Sequence, residues 1–430
     1  MLWFFYNILF AIGLIAMLPR AFVRMRRRGG YARNFGQRFA RYSPELLSRF
    51  REDGRIWVHA VSVGEIFVAT RFMHEFRARR PDVKFVLSTT TSTGYGIAEK
   101  EVTAPDVLIY LPVDFPLIMK RALSIIRPKA LVLVECELWP NLIRLAKRGS
   151  IPVILINGRI SDHSYSGYSK LRVFTRPLLV QVDLLCMQSE DDRQKLASLG
   201  ADPARLNVVG SAKYDMTPAN GDGEEKARAV LELAGIARDR LVLLGGSTWA
   251  GEEEALLDAY KELRETVKNL VLVLVPRHAE RRDKVLFAIA DRGLSVVRRT
   301  ELKPGVSSAP DVLLVDTTGE LRSFYACADV IFVGKSLSQH GGQNIIEPAL
   351  CGKPIVVGPN MENFAAVVRD FLVADAMVQV RDAAGLRDAI RALLSDPAKR
   401  RSLGQKAQCL VREKAGAIDK TLQLVLSALQ

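Results

Sequence analysis

Three carboxylates in this 430-residue chain stand where an apolar run gives out. In Trp57-Val-His-Ala-Val-Ser-Val-Gly-Glu65 a run with strand propensity ends in a glycine and then presents a lone glutamate before a helical pattern. In an open α/β sheet that places Glu65 in the crevice at the carboxyl end of a strand, where ligands bind. A carboxylate fixed there can take a proton from an alcohol. Glutamate is also a common first-turn helix residue that complements the helix dipole, and for Glu65 alone both readings stand. The run Leu131-Val-Leu-Val-Glu135-Cys-Glu137-Leu-Trp139-Pro140-Asn141 ends in two carboxylates one residue apart. If the strand continues through them, both point the same way and their repulsion raises one pKa. Such a pair suits acid–base or charge-stabilising work. If the backbone turns after Glu135, the two diverge and one is left to cap the helix near Trp139.

Cations and glycines supply the complementary chemistry. Lys213, in Gly210-Ser-Ala-Lys213-Tyr-Asp215, and Arg277 and His278, just past the apolar run 270–275, are cations at strand ends. A cation there stabilises charge on a departing phosphate, though each also fits a solvated surface charge. Gly245-Gly-Ser-Thr248 precedes the acidic helix start Glu252-Glu-Glu254, and Gly341-Gly-Gln-Asn344-Ile-Ile-Glu347-Pro348 precedes another helical stretch. Glycines before a helix N-terminus let backbone N–H groups approach a phosphate. Glu347 could then accept from a ribose diol. Neither segment fits the dinucleotide or Walker pattern. His59 and His340 read as structural or supporting groups and His74 as exposed; with His163 they are too dispersed for a Ser/His/Asp arrangement. No Asp-x-Asp follows a strand, so no metal is expected.

The elements that must hold these groups alternate. Short apolar runs at 56–63, 84–87, 106–110, 130–134, 152–156 and 184–187 are separated by longer amphipathic stretches. That is the pattern of βαβ units and a parallel sheet. Thr217-Pro-Ala-Asn-Gly-Asp-Gly223 breaks it with loop formers. A second series follows, with strands expected at 241–244, 270–275, 312–315, 330–333 and 355–357 and helices from about 384 to the end. The expected fold is α/β: two doubly wound Rossmann-like domains, with substrates meeting in a cleft between them. The expected boundaries are an anchor helix at 1–20, an N-terminal domain at 21–216 and a C-terminal domain at 217–430, whose last helices can pack back on the first domain.

Composition is ordinary for a globular protein, with 49% hydrophobic and 25% charged residues. The N-terminus is not. Residues 2–18 carry no charge, and as a helix they reach roughly 25 Å, slightly short of a hydrocarbon core. They could barely span, or lie tilted in one leaflet. Arg20, Arg24, Arg26, Arg27, Arg28, Arg33, Arg38 and Arg41 follow. A signal peptide has its basic residues first, so the segment reads as an uncleaved anchor. Its arginines favour anionic headgroups and place the body on the cytoplasmic side. Much of the formal charge of +14 lies in this region, which points to a membrane surface and an anionic substrate rather than nucleic acid. Cys136, Cys186, Cys327, Cys351 and Cys409 show no paired spacing, as expected of free thiols in a reducing cytoplasm.

Taken in order, these segments resemble the 3-deoxy-D-manno-octulosonic acid (Kdo) transferases that act on lipid A precursors. The resemblance is carried by the anchor with its arginines, His59-Ala-Val-Ser-Val-Gly-Glu65, Glu135-Cys-Glu-Leu-Trp-Pro-Asn141, Gly210-Ser-Ala-Lys213, Pro276-Arg277-His278, Thr318-Gly319-Glu320 and Gly341-Gly-Gln-Asn-Ile-Ile-Glu-Pro348. It implies a GT-B glycosyltransferase of lipopolysaccharide biosynthesis at the cytoplasmic face of the inner membrane. Such an enzyme moves Kdo from CMP-Kdo, without metal or cofactor, to a hydroxyl of an acylated, phosphorylated glucosamine disaccharide. Acceptor binding then falls to the N-terminal domain and CMP to the C-terminal one. Glu65 matches the general base of the family, and Glu135 and Lys213 match positions assigned to transition-state stabilisation. Pro276, Arg277, Thr318, Gly319, Glu320, Asn344, Ile345, Ile346 and Glu347 match its CMP-contacting segments. The chain departs from the family at Gln343 (His), Ile345-Ile346 (Pro-Leu), Lys335 (Gly) and Ala279 (Pro), all on the CMP side. The alternatives are a GT-B-fold nucleotide-sugar epimerase, which needs no anchor, and a catalytically idle membrane-associated binding protein.

Overall fold

The computed structural model describes residues 2–28, 34–51, 54–215, 221–303 and 309–430, with side chains described from 3 to 16 in the first helix and from 223 onward in the helix Gly221–Leu233. The side chains of Arg20, Arg24, Arg26, Arg27 and Arg28, all of Arg33, and the start of the expected linker, 216–220, lie outside the described residues. The chain forms two compact units. Unit 1 comprises Met1–Asp215 and Gly416–Gln430, and unit 2 comprises Met216–Ala415.

Unit 1 is built on a seven-stranded sheet. Its strands are β1 (Ile56–His59), β2 (Phe85–Thr89), β3 (Val107–Tyr110), β4 (Ala130–Val134), β5 (Val153–Gly158), β6 (Leu184–Met187) and β7 (Leu206–Val208). Their order is β3-β2-β1-β4-β5-β6-β7, all pairs parallel. Parallel sheets are covered on both faces, so the strands read as continuous apolar runs. Alternate residues feed two cores: Trp57, Val86, Leu131 and Leu155 join one, and Val58, Leu87, Val132 and Ile156 the other. The second core is closed by the last helix, Ala417–Ala428, through Ile418, Leu422 and Val425. Asp215 fixes that helix by accepting from the N–H groups of Gly416, Ala417 and Ile418. The second unit therefore stops at Ala415, and only the final helix returns to the first.

Unit 2 is built on a second seven-stranded sheet, of β8 (Leu241–Thr248), β9 (Leu270–Pro276), β10 (Val296–Arg298), β11 (Val312–Leu314), β12 (Val330–Val333), β13 (Ile355–Val357) and β14 (Val378–Gln379). Their order is β10-β11-β9-β8-β12-β13-β14, again all parallel. The first sheet reverses its strand order between β1 and β4; the second reverses between β8 and β12 and again at β11, which lies between β10 and β9. Helices leave those neighbouring strands toward opposite faces, which opens a crevice at their carboxyl ends.

The first helix, Leu2–Arg28, docks on unit 1 along one side. Tyr6 Oη donates to Asp114 (3.2 Å), Asn141 Nδ2 donates to Asn7 Oδ1 (2.7 Å), and Arg144 stacks 4.3 Å over the Trp3 ring. Phe4, Phe5, Ile8, Leu9, Ile12 and Ile15 on the rest of its surface are exposed. Among the described residues no helix is long and apolar enough to cross a membrane.

Candidate active site

In unit 1 the reversal of strand order lies between the two carboxylate-bearing loops. Glu65 is the third residue of the helix Val63–Arg79, where Ser62 Oγ caps the Glu65 N–H (3.3 Å). Its carboxylate reaches back to the N–H groups of Val61 (2.8 Å) and Ser62 (3.3 Å), completing a capping box. Glu65 is thus the cap residue that its position allowed. An ionised carboxylate has about four acceptor sites, and two are taken, so the cap fixes its direction and leaves acceptor capacity. The backbone does turn at the next carboxylates. β4 ends at Val134 and Glu135 adopts φ 56°, so Glu135 and Glu137 are not on one extended strand. A non-glycine residue held in the left-handed region costs of order 1 kcal/mol or more, a strain that gathers at functional sites.

The three carboxylates nevertheless feel one another. Burial raises the Glu135 pKa, Glu65 raises it further, and Arg159 and Lys213 pull it back. Glu137 is pushed up to about 7 by burial and then by Glu65 and Glu135, against a hydrogen bond from Trp139 Nε1 (3.0 Å). Burial and Arg159 lower the Lys213 pKa, while Glu135 raises it. Behind them lies His59, fully buried and brought down to about 4 by desolvation, hence neutral. Its Nδ1 faces the Ser88 carbonyl at 3.1 Å, which can only accept, so Nδ1 carries the hydrogen. The bare Nε2 has no hydrogen-bond partner and lies 4.0 Å from Glu137 Oε2.

The expected phosphate cradles of unit 2 differ from their sequence reading. Gly245 to Thr248 are the last residues of β8 itself, and the turn falls at Trp249–Gly251. Three acids, Glu252, Glu253 and Glu254, fill the first turn of the helix Glu252–Thr266, which repels an anion there. The helix after Gly341-Gly342 is only Ile346–Leu350, too short for a strong dipole, and Asn344 Oδ1 already accepts from the Ile346 N–H (3.0 Å). Ile345 and Ile346 have no exposed side-chain surface, so a nucleotide contact at this segment would fall to its backbone and its polar members. Pro276 is likewise buried as the last residue of β9. The remaining groups do gather at the carboxyl ends of the strands. Arg277 is exposed, its N–H bonded to Thr248 O (3.0 Å). Thr318 and Gly319 are exposed, and Glu320 is held by Arg299 Nε (3.2 Å) and the Thr317 hydroxyl. Burial raises the Glu347 pKa, and Arg322, 4.0 Å away, lowers it. Among the described residues no group of three His, Cys, Asp or Glu side chains could hold a metal.

Residues 33–216 match the family described as 3-deoxy-D-manno-octulosonic-acid transferase (kdotransferase), and residues 253–409 match glycosyl transferases group 1. The chain is 31% identical to the 3-deoxy-D-manno-octulosonic acid transferase of Haemophilus influenzae, over 90% of this chain and 91% of that one. With the enzyme of the same name from Bordetella pertussis the identity is 32%, over 96% and 97%. The chain belongs to the Kdo transferase family. As a member of the Kdo transferases it is a glycosyltransferase, and its two parallel sheets are those of a GT-B fold. The UDP-GlcNAc 2-epimerase of Neisseria meningitidis shares that fold at a TM-score of 0.56 over 87% of this chain and 100% of the other, with 12% identity. That likeness is one of architecture alone.

Within this Kdo transferase the site contains groups that its motifs did not single out. Arg159, the first residue past β5, acts on both Glu135 and Lys213. It carries the signal used for Arg277, a cation immediately after an apolar strand. His59 lies 4.0 Å from Glu137, a proximity that spacing along the chain does not show, because the two meet only when β1 pairs with β4.

Proposed function

We propose that the chain transfers Kdo from CMP-Kdo to a hydroxyl of a lipid A precursor, an acylated and phosphorylated glucosamine disaccharide, with inversion at the anomeric carbon. The observation that carries this reading is Glu65, buried and directed by its capping box at the strand-order reversal of unit 1, beside Glu135 and Glu137. Glu65 takes the acceptor proton as the hydroxyl oxygen attacks the anomeric carbon. The bond from that carbon to the phosphate oxygen breaks, and CMP departs. A positioned base of this kind contributes about 10² to 10⁴ in rate. Glu135 and Lys213 stabilise the developing charge in unit 1, while Arg277, Thr318, Gly319, Glu320, Asn344 and Glu347 hold CMP in unit 2. No metal enters this reading, and activity is expected to survive EDTA. The exposed apolar side of the helix Leu2–Arg28 lies in one leaflet of the cytoplasmic membrane face, with its docked side on unit 1.

The test is mass spectrometry of a tetraacylated lipid A precursor incubated with CMP-Kdo and the protein in detergent, with Glu65→Gln in parallel. A gain of one or more Kdo units, lost in the variant, supports both reaction and base. No gain with folded wild-type protein rejects the reading.

A further inference from the structure

At the β8–β12 reversal of strand order in unit 2, two side chains stand that the donor reading does not use. Trp249 is the first residue past β8 and Lys335 the second past β12. Lys335 Nζ stands 5.3 Å from the centroid of the Trp249 ring, and the same indole meets His278, two residues past β9, edge-on at 5.0 Å. Among the described residues Lys335 makes no ion pair. The indole Nε1 is buried without a hydrogen-bond partner, and an acceptor brought by a ligand would satisfy it.

The backbone forces this placement. Lys335 sits at φ 57°, in the left-handed region that side-chain-bearing residues disfavour. Buried Glu252 holds it there, accepting from the N–H groups of Lys335 (2.8 Å), Ser336 (2.8 Å) and Leu337 (2.9 Å). Its neighbour cannot share the task, because a Cβ on Gly334 would fall 2.4 Å from Ser247 O. The ammonium points to the turn made by Gly341 and Gly342, 3.5 Å from where a Cβ on Gly341 would be. That turn has φ 113° and 71° and leads to Asn344 and Glu347. A strained lysine, fixed by a buried carboxylate and left without an ion pair at a switch point, though Glu362 accepts from the nearby Gly341 N–H, is built to meet an anion.

We propose that Lys335, seated on Trp249, binds an oxyanion of the donor, either the carboxylate of the sugar acid or the phosphate of the nucleotide. The proposal rests on reading unit 2 as the donor site, and the two can fail separately. Calorimetry with CMP and with cytidine, and the KM for CMP-Kdo, are compared in wild type and Lys335→Met. A charge-assisted hydrogen bond is worth about 1.5–3 kcal/mol, so the expected loss is roughly 10- to 100-fold. If the phosphate is the partner, Lys335→Met weakens CMP and leaves cytidine unchanged. If it is the carboxylate, CMP binding is kept and the KM for CMP-Kdo rises by that factor with kcat little altered. Trp249→Leu, which keeps the cation but removes its platform, weakens the same ligand several-fold and serves if the first variant does not fold. Equal CMP affinity and equal KM in wild type and folded Lys335→Met overturn the proposal. A wild-type chain that binds no CMP removes the donor reading, and the proposal with it.

Discussion

The two sheets both reverse strand order at their centre and set different side chains there. Where β1 meets β4, unit 1 gathers Glu65, Glu135 and Glu137; where β8 meets β12, unit 2 presents Lys335 over Trp249 with Arg277 nearby. Each unit also places a glutamate in the first turn of the helix that leaves its first switch strand, and the two are used differently. Glu65 is engaged by two N–H groups of its own turn and keeps acceptor capacity. Glu252 has no exposed surface and accepts from four, those of Trp249, Lys335, Ser336 and Leu337. It ties the β8 loop to the β12 loop. The topology supplies the crevice in both units; the number of backbone donors that close on the carboxylate decides whether it can do chemistry or only hold structure.

The largest expected effect separates those two glutamates. Glu65→Gln keeps the cap, since glutamine also serves at that position of a capping box, but removes the base. Transfer should fall by about 10² to 10⁴ with the thermal midpoint little changed. A fall in midpoint that matches the loss of activity would make Glu65 a structural cap and erase the contrast. Glu252→Ala is expected to do the reverse. It strands buried donors on two loops, at a cost on the order of 3–5 kcal/mol, and lowers the thermal midpoint of unit 2 by on the order of 10 °C. Differential scanning calorimetry reads this directly, and a near-wild-type midpoint would contradict the anchoring role.

How much of this was legible in the sequence follows from which forces are local. The central strands were, because a parallel strand covered on both faces is a continuous apolar run. β7, β10 and β14 were not: two or three residues long, two of them with only half-buried or exposed side chains, they carry little apolar signal. β1 was expected to continue to 63 but stops at His59, because the N–H groups of Val61 and Ser62 turn to Glu65. Ile345 and Ile346 belong to a motif whose apolar members are fully buried while Asn344 and Glu347 are partly exposed, a division the motif's spacing does not announce. The apolar spacing of Ile418, Leu422 and Val425 marks a helix, yet that it closes the core of unit 1 depends on Asp215, some two hundred residues earlier. Glu65, Glu135 and Lys213 were legible as strand-end charges. The raised pKa of Glu137 was not, since the burial and the approach of Glu65 that cause it exist only once the sheet has formed.

The shifted Glu137 carboxyl gives the next effect in size. Folding lifts the Glu137 pKa from its ordinary 4.5 to about 7, so between these values the folded chain holds a proton that the unfolded chain has released. Stability contributed by this group is present below pH 4.5 and is lost as pH rises through 7. Glu137→Gln mimics the protonated side chain. It should leave the midpoint unchanged at pH 4 and raise stability at pH 8 by on the order of 1–3 kcal/mol, read by chemical denaturation at the two pH values. The same gain at both would mean that Glu137 does not titrate against Glu65 and Glu135.

The smallest effect tests the other side of the comparison. Lys335→Gly relieves the left-handed backbone, worth about 1 kcal/mol, but gives up the contact with Trp249, worth about 0.5–1 kcal/mol, and some unfolded-state entropy. These nearly cancel, so stability should stay within about 1 kcal/mol of wild type while donor affinity falls as for Lys335→Met. A lysine kept in a strained conformation without benefit to the fold is explained by the ligand it meets. A loss of more than about 2 kcal/mol would instead show that Lys335 braces the β12 loop. Unit 2 would then owe its charge at the switch point to structure, and the contrast between the two switch points would be accidental.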